Sequence, residues 1–252
     1  METPAPEPAP ELDPQELRRQ GLARVGSWPV VVAAVLVTQV LGAVLAVPLL
    51  ALFPGGLSQG VLSSPYALFL LVLIGDLGFA GIVWLLLVRP GLSSLQDMGL
   101  VGRGALPAAL RGLLWGMLFI LASGAIQLLM TLFGVTSDQA SQFPLQQSGT
   151  VGRLAIWVAG VVLAPVAEEI FFRGYVFRAM SARKGYARGL VYSSALFGLL
   201  HFNLAAFLPL AVGAMLLALS YRRTGSLWTP IVAHALNNAF AFAALTFFSG
   251  GR

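Results

Sequence analysis

The feature that most constrains this chain is a series of long apolar runs, several of which are long enough to cross a lipid bilayer as helices. About 20 apolar residues span the hydrocarbon layer in this conformation. Runs of this kind begin near Trp28, Tyr66, Leu110 and Val151. The composition agrees, with 58% hydrophobic and 10% charged residues, against about 45–50% and about 25% in soluble domains.

These runs predict an all-α, polytopic integral membrane helix bundle with about seven transmembrane helices. The predicted spans are 28–53, 66–88, 110–135, 151–180, 189–202, 204–221 and 227–248. The fourth is too long for a single crossing, so its C-terminal part is expected to project from the membrane or to lie in the interface. The fifth is short for a full crossing.

The N-terminal segment differs in composition from the rest of the chain. It is Pro-rich and acidic and then becomes basic, which does not favour a buried core. We therefore predict a disordered Pro-rich tail over residues 1–25 that runs into a short helix. Residues 26–250 are predicted to form one transmembrane helical domain. The chain has no cysteine, which excludes disulfides and thiolate metal sites.

Lys and Arg residues concentrate in alternate loops between the predicted spans. Cytoplasmic loops of membrane proteins carry such an excess, so the pattern predicts a multi-pass protein with a cytoplasmic N-terminus, in the bacterial inner (plasma) membrane. The same bias accounts for the formal net charge of +5. We therefore expect the lipid bilayer as a partner and no nucleic acid.

Ionisable side chains inside apolar spans are functional candidates because hydrocarbon disfavours charge. They are Asp76 in the second span, Glu168, Glu169 and Arg173 in the fourth, His201 at the end of the fifth, and His234 in the seventh. For Asp76, a structural polar contact is favoured over catalysis. Glu169 and Arg173 are four residues apart and are predicted to pair on one helix face. Glu168 then points about 100° away around the helix.

Two further pairs share this four-residue spacing. The ring of Phe197 is predicted to pack against His201, and His234 shares a helix face with Asn238. If the three polar faces converge, a carboxylate and a histidine can activate water while hydrogen-bond donors stabilise an oxyanion. This inventory suits peptide hydrolysis. Asn237, on another face, is predicted to serve helix packing.

The three polar segments resemble motifs of a known family. The sequence EEIFFRG at 168–174 resembles the EExxxR motif of the CPBP intramembrane proteases, which include the type II CAAX prenyl endopeptidases and the bacterial Abi proteins. FGLLH at 197–201 resembles the FxxxH motif, and HALNN at 234–238 resembles HxxxN. The resemblance covers about 110–245, which it implies is the catalytic core.

The resemblance implies a role for each matched position. Glu168 would be the catalytic carboxylate, and His201 its partner in activating water. His234 and Asn238 would form the oxyanion site. The supporting positions would be Glu169, Arg173 and Phe197.

Two cofactor alternatives stay open at such a site, a zinc ion or no metal. Glu168, His201 and His234 would supply three ligands and leave one position for water. In that case Glu169 would be the more natural base. The same side chains would equally act without a metal.

The function that the resemblance implies is intramembrane endopeptidase activity, glutamate-dependent or metal-dependent. The substrate would be a membrane-associated or lipidated peptide or protein, with prenylated CAAX-type proteins as one class. Two alternatives remain: a non-catalytic bacteriocin-immunity or scaffold protein, and a proton-coupled transporter whose buried acids and histidines relay protons. Transporters usually show paired broken helices in two related halves, and the sequence shows no such repeat.

Overall fold

The protein is described here by a computed structural model over residues 13–51, 64–101, 104–136, 144–145 and 148–248. Every regular element in these ranges is a helix, which confirms the predicted all-α fold class. The helices are α1 (Pro14–Val25), α2 (Trp28–Leu50), α3 (Pro65–Val88), α4 (Ala105–Leu132), α5 (Thr150–Lys184), α6 (Tyr186–Leu199), α7 (Leu204–Thr224) and α8 (Trp228–Phe248).

Six helices in the described ranges are long and apolar enough to cross a membrane, namely α2, α3, α4, α5, α7 and α8. The count is close to the predicted seven, and the difference falls on the predicted span 189–202. This segment contributes to α6, which has 14 residues. At about 1.5 Å per residue α6 is about 21 Å long, shorter than a hydrocarbon core of about 30 Å. The chain is an integral, multi-pass membrane protein.

α5 shows the opposite departure in length. It has 35 residues and is therefore about 52 Å long, well beyond the hydrocarbon core of about 30 Å. This confirms that the fourth predicted span is too long for one crossing. Large apolar side chains also cover the outside of the bundle, for example Leu114, Leu128 and Leu132 on α4, which are 71%, 65% and 76% exposed. Such a surface is suited to contact with lipid.

The start of the described chain differs from the predicted disordered tail. The expected short helix is present as α1, which opens on a proline, a residue favoured in the first helical turn. The Tyr175 hydroxyl of α5 donates a hydrogen bond to the Val25 carbonyl at 2.9 Å and fixes the end of α1. Disorder therefore does not extend over 14–25, and residues 1–12 lie outside the described residues.

The basic segments of the chain meet at one end of the bundle. Arg178 of α5 donates to the Ser93 hydroxyl in the connection between α3 and α4. At the end of α7, the Arg222 guanidinium lies 3.5 Å from the ring centroid of Tyr186 at the start of α6. α6 and α7 are therefore antiparallel neighbours. Basic residues at the ends of α5 and α7 therefore lie against the α3–α4 connection and the start of α6.

Glycines on α4 allow α8 to approach closely. A Cβ atom at Gly112 would lie 2.7 Å from both the Thr229 carbonyl oxygen and the Val232 Cβ. Gly116, one turn later, faces the same helix. Small residues four apart are typical of membrane helix contacts because they let two backbones come together. This contact sets the position of α8, which carries one of the two histidines.

We expect Gly112→Ala to lower the melting temperature of the purified protein in detergent. The added methyl group overpacks the contact with α8, which typically costs about 1–3 kcal/mol. Gly124→Ala is the matched control on the same helix, because a Cβ there would have no atom within 4 Å, and it should melt at or above the wild-type temperature. Equal melting temperatures for the two variants would contradict the close approach.

Candidate active site

α5 is not a regular α-helix where it carries the acidic pair. Two π-helical segments, Val158–Leu163 and Ile170–Phe177, flank the α-helical turn Ala164–Glu169. Pro165 lies in that turn and has no amide hydrogen for the carbonyl of the preceding turn. A π-helical turn takes an additional residue, so the faces of α5 before and after it are rotated relative to a uniform α-helix. Such segments are frequent at functional sites.

Glu169 is the centre of a buried ionic network. Its Oε1 accepts hydrogen bonds from Arg173 Nη1 at 2.7 Å and from His234 Nδ1 at 3.0 Å. The side chains of Glu169 and Arg173 are 0% and 2% exposed. The pairing predicted from their spacing is therefore confirmed. His234, from α8, joins the pair, so the buried carboxylate has two hydrogen-bond donors.

Arg173 connects this network to two more helices. Its Nη2 donates to the carbonyl of Ala214 in α7 at 2.9 Å. Its guanidinium carbon lies 5.0 Å from the ring centroid of Phe197 in α6, within the range of a cation–π contact. The single arginine thus holds α5, α6 and α7 together around the acidic pair.

Glu168 has a different environment from its neighbour. Its side chain is 20% exposed, and its Oε2 lies 3.9 Å from His234 Nε2. That oxygen is buried and has no hydrogen-bond partner in the part of the chain that the structure describes. Since Nδ1 of His234 donates its hydrogen to Glu169, Nε2 of the neutral ring carries a lone pair. With the ring in its neutral form, two acceptors lie side by side.

Asn238 also faces α5. Its Nδ2 donates to the Gly160 carbonyl at 2.8 Å, within the first π-helical segment. Asn237 donates to the Asn238 Oδ1 at 3.4 Å, a contact within α8. An amide group has two N–H bonds, so the bond to Gly160 leaves the second N–H of Asn238 for another acceptor.

His201 stands apart from the two carboxylates. Its Nδ1 bonds to the Phe197 carbonyl at 2.9 Å, and the two rings have centroids 4.8 Å apart, as their spacing predicted. The Phe197 ring also lies 5.7 Å from that of His234. Among the described residues the ion pairs include His234 but not His201. The structure thus brings Glu168 to His234, whereas the resemblance paired it with His201.

The candidate zinc ligands do not gather around one point. No three His, Asp or Glu side chains in the described ranges are placed to hold a metal ion, whereas zinc needs its ligands about 2.0–2.2 Å away. Glu169, the base considered for the zinc alternative, is fully buried and bonded to Arg173. As placed, Glu168, His201 and His234 do not fit a three-ligand zinc site.

Asp76, for which the sequence favoured a structural polar contact, lies near Glu168. Its Oδ2 is buried without a hydrogen-bond partner among the described residues, and it lies within electrostatic range of Glu168. Phe79, further along α3, packs on Phe171 of α5 with ring centroids 4.4 Å apart. The sequence indicated Asp76 as a candidate because it is a lone carboxylate in an apolar span. The order of the helices along the chain does not show which helix Asp76 faces.

Comparison with known proteins identifies the segment that carries these residues. Residues 150–240 match the Rce1-like family, described as type II CAAX prenyl endopeptidase Rce1-like. All three motifs fall in this segment, and the family resemblance predicted from them is confirmed. Over 83 residues the chain is 31% identical to a Bacillus subtilis protein named "Putative membrane peptidase YdiL".

That alignment covers 33% of this chain and 34% of the relative, so the chain spans about a third of the length of the curated relative that it matches. No solved structure matches the chain. Together, the family match and the named relative support a membrane peptidase in general terms.

We expect Arg173→Met to destabilise the fold, because it leaves Glu169 buried with one partner fewer. Removing one member of a buried ion pair costs about 3–5 kcal/mol, which should appear as a lower melting temperature in detergent. The double variant Arg173→Met/Glu169→Gln removes both charges and should recover part of the loss. Arg153→Met, at an exposed position of the same helix, is the matched control. Wild-type melting of Arg173→Met would contradict the buried network.

Proposed function

We propose that the protein is an intramembrane endopeptidase that cleaves a membrane-associated substrate with water activated by Glu168. The observation that carries the proposal is the 3.9 Å separation between Glu168 Oε2 and His234 Nε2. Neither acceptor has a hydrogen to donate to the other, and each can receive one hydrogen of the same water at about 2.8 Å. Glu168 is the more exposed carboxylate of the pair, at 20% of its side chain, and the proposal requires its buried Oε2 to open to that water.

The water held in this way presents an oxygen lone pair to the carbonyl carbon of the substrate. As the new C–O bond forms, Glu168 accepts the proton of the water as general base. It then delivers that proton to the amide nitrogen as the C–N bond breaks, which yields a carboxylic acid and an amine. Glu169 keeps the His234 ring in one tautomer and orientation, as a carboxylate does for a catalytic histidine. Arg173 supports Glu169.

Asn238 is the proposed donor to the oxyanion, through the N–H that is not bonded to Gly160. The resemblance placed His234 in the same role, but its contact with Glu168 favours a part in holding the water. His201 is retained as a proposed catalytic residue, because its Nδ1 hydrogen is donated to the Phe197 carbonyl. Nε2 of the neutral ring is then an acceptor, as the implied role in water activation requires.

The substrate class and the cellular location belong to the same proposal. A site built on apolar helices suits a lipidated or membrane-associated peptide, and the matching family is described by its action on CAAX prenyl substrates. We place the protein in the bacterial inner membrane with a cytoplasmic N-terminus. The basic segments gathered at one end of the bundle support that orientation.

We expect Glu168→Gln to abolish peptide cleavage while the protein stays folded, since the change keeps the shape of the side chain and removes the base. The assay uses purified protein in detergent and a fluorescently labelled farnesylated peptide, with an unprenylated membrane-segment peptide in parallel. Each reaction is run with and without a chelator to test for a metal requirement. Wild-type cleavage by folded Glu168→Gln would contradict the mechanism and favour the scaffold or transporter alternatives.

Asn238→Ala should lower turnover by about 10²–10³, the usual effect of losing one oxyanion donor. The Michaelis constant should change far less, because the bond forms mainly in the transition state. Asn237→Ala is the matched control on the neighbouring face of α8 and should retain near-wild-type turnover. Melting temperatures of both variants show whether loss of the Asn238 bond to the Gly160 carbonyl destabilises the protein, so that a lower turnover is not mistaken for unfolding. Equal turnover in the two variants would rule out the oxyanion role.

A further inference from the structure

A concave site lies outside the carboxylate–histidine cluster, between α1 and the last turns of α5. It is a cleft of about 380 Å³. Its lining residues are Arg19, Gln20, Ala23, Ala182, Arg183 and Lys184. Three of these side chains are cationic and none is acidic. We propose that this cleft, the basic cleft, binds the phosphate of an anionic phospholipid headgroup.

The walls of the basic cleft are fixed by contacts between the two helices. Arg183 Nη1 donates to the Ala23 carbonyl at 3.3 Å, in addition to the tyrosine contact at the end of α1. Gly26 follows α1 so closely against α5 that a Cβ there would lie 2.1 Å from the Ala179 carbonyl oxygen. The cleft is therefore a product of helix packing, with cationic side chains from two separate helices.

The basic cleft carries an excess of positive charge. Glu16 is bonded to Arg19 through both carboxylate oxygens, at 2.7 and 2.9 Å. The hydrogen bonds from Arg19 and Gln20 lower the pKa of Glu16 to about 2, so it stays ionised and orients Arg19. No ion pair of the described residues includes Arg183 or Lys184. Two uncompensated cations thus face the cleft.

Cations in a last turn also stabilise the helix to which they belong. That role accounts for Arg183 and Lys184 at the end of α5. It does not require a third cation delivered by α1, nor a cleft between the helices. A bound anion accounts for Arg183 and Lys184, and Arg19, already oriented by Glu16, adds a third cation from α1.

The position of the cleft indicates which anion it meets. α1 ends three residues before the apolar span that starts at Trp28, and the last two turns of α5 are basic, from Arg178 to the end of the helix at Lys184. The Trp28 ring packs on that of Tyr192, with centroids 5.3 Å apart, and these residue types favour the membrane–water interface. Basic pockets at this level are suited to anionic headgroups. A free phosphate offers the same chemistry, but a lipid is held at this depth by the bilayer.

The test measures the melting temperature of the full-length protein in a neutral detergent. Phosphatidylglycerol, phosphatidylcholine and inorganic phosphate are titrated separately. A ligand that binds the native state raises stability by mass action, so phosphatidylglycerol should give a saturable rise that the other two do not. Equal rises with phosphatidylglycerol and phosphatidylcholine would overturn the proposal. Equal protection by inorganic phosphate would overturn the lipid assignment. Neither result depends on peptidase activity.

Charge-matched variants locate the effect. Arg183→Gln/Lys184→Gln should need at least about tenfold more phosphatidylglycerol for the half-maximal rise, since each cation contributes to headgroup attraction. Arg188→Gln/Arg223→Gln removes the same charge from exposed positions outside the cleft and should stay close to wild type. Lys184→Gln alone leaves the Arg183 bond to α1 intact and should give an intermediate shift in the half-maximal phosphatidylglycerol concentration. This single variant takes the place of the double variant if the double variant does not fold. The same loss in the control pair would overturn the proposal.

Discussion

The buried carboxylate of Glu169 is the constraint on which the rest of the site depends. Removing an ion from water costs several kcal/mol, and only close partners with good geometry offset this. Arg173 and His234 supply those partners at 2.7 and 3.0 Å. Because these partners come from α5 and α8, and Arg173 also bonds to Ala214 in α7, a wrong arrangement of the helices leaves a charge unpaired in the protein interior. The network therefore specifies the bundle as well as the ring of His234.

Two adjacent residues of the same type thus have different environments. One oxygen of Glu169 accepts hydrogen bonds from Arg173 and His234, which hold the side chain in place. The side chain is fully buried and therefore shielded from water. Glu168, one residue earlier, keeps part of its surface exposed and faces the opposite nitrogen of the same imidazole. Environments that differ this sharply separate the chemical roles of neighbouring carboxylates. His234 links the two, because its two ring nitrogens face one carboxylate each.

Local spacing predicted the contacts made within one helix, and not those made between helices. Apolar run lengths fixed the all-α membrane fold, and the four-residue rule found the bond between Glu169 and Arg173. Which histidine meets Glu168 depends on the rotation of α5 against α8, and the π-helical segments around Pro165 alter that rotation. The family resemblance, and not the spacing, paired Glu168 with His201, whereas the structure has Glu168 Oε2 3.9 Å from His234 Nε2. The fifth predicted span was already short for a full crossing, and the structure has it as the 14-residue helix α6.

The shortness of α6 has a consequence for the lipid around it. This helix starts at the basic end of the bundle and is about 21 Å long, so it ends about 9 Å before a hydrocarbon layer of about 30 Å would. The chain then turns through Phe202, which has a φ of 51° and is 81% exposed. Non-helical backbone at that depth needs protein or water around it. The short helix and the turn beside His201 thus favour protein or a water-filled cavity at this place over lipid, and such a cavity would shorten the path of a polar peptide from the aqueous phase into the membrane.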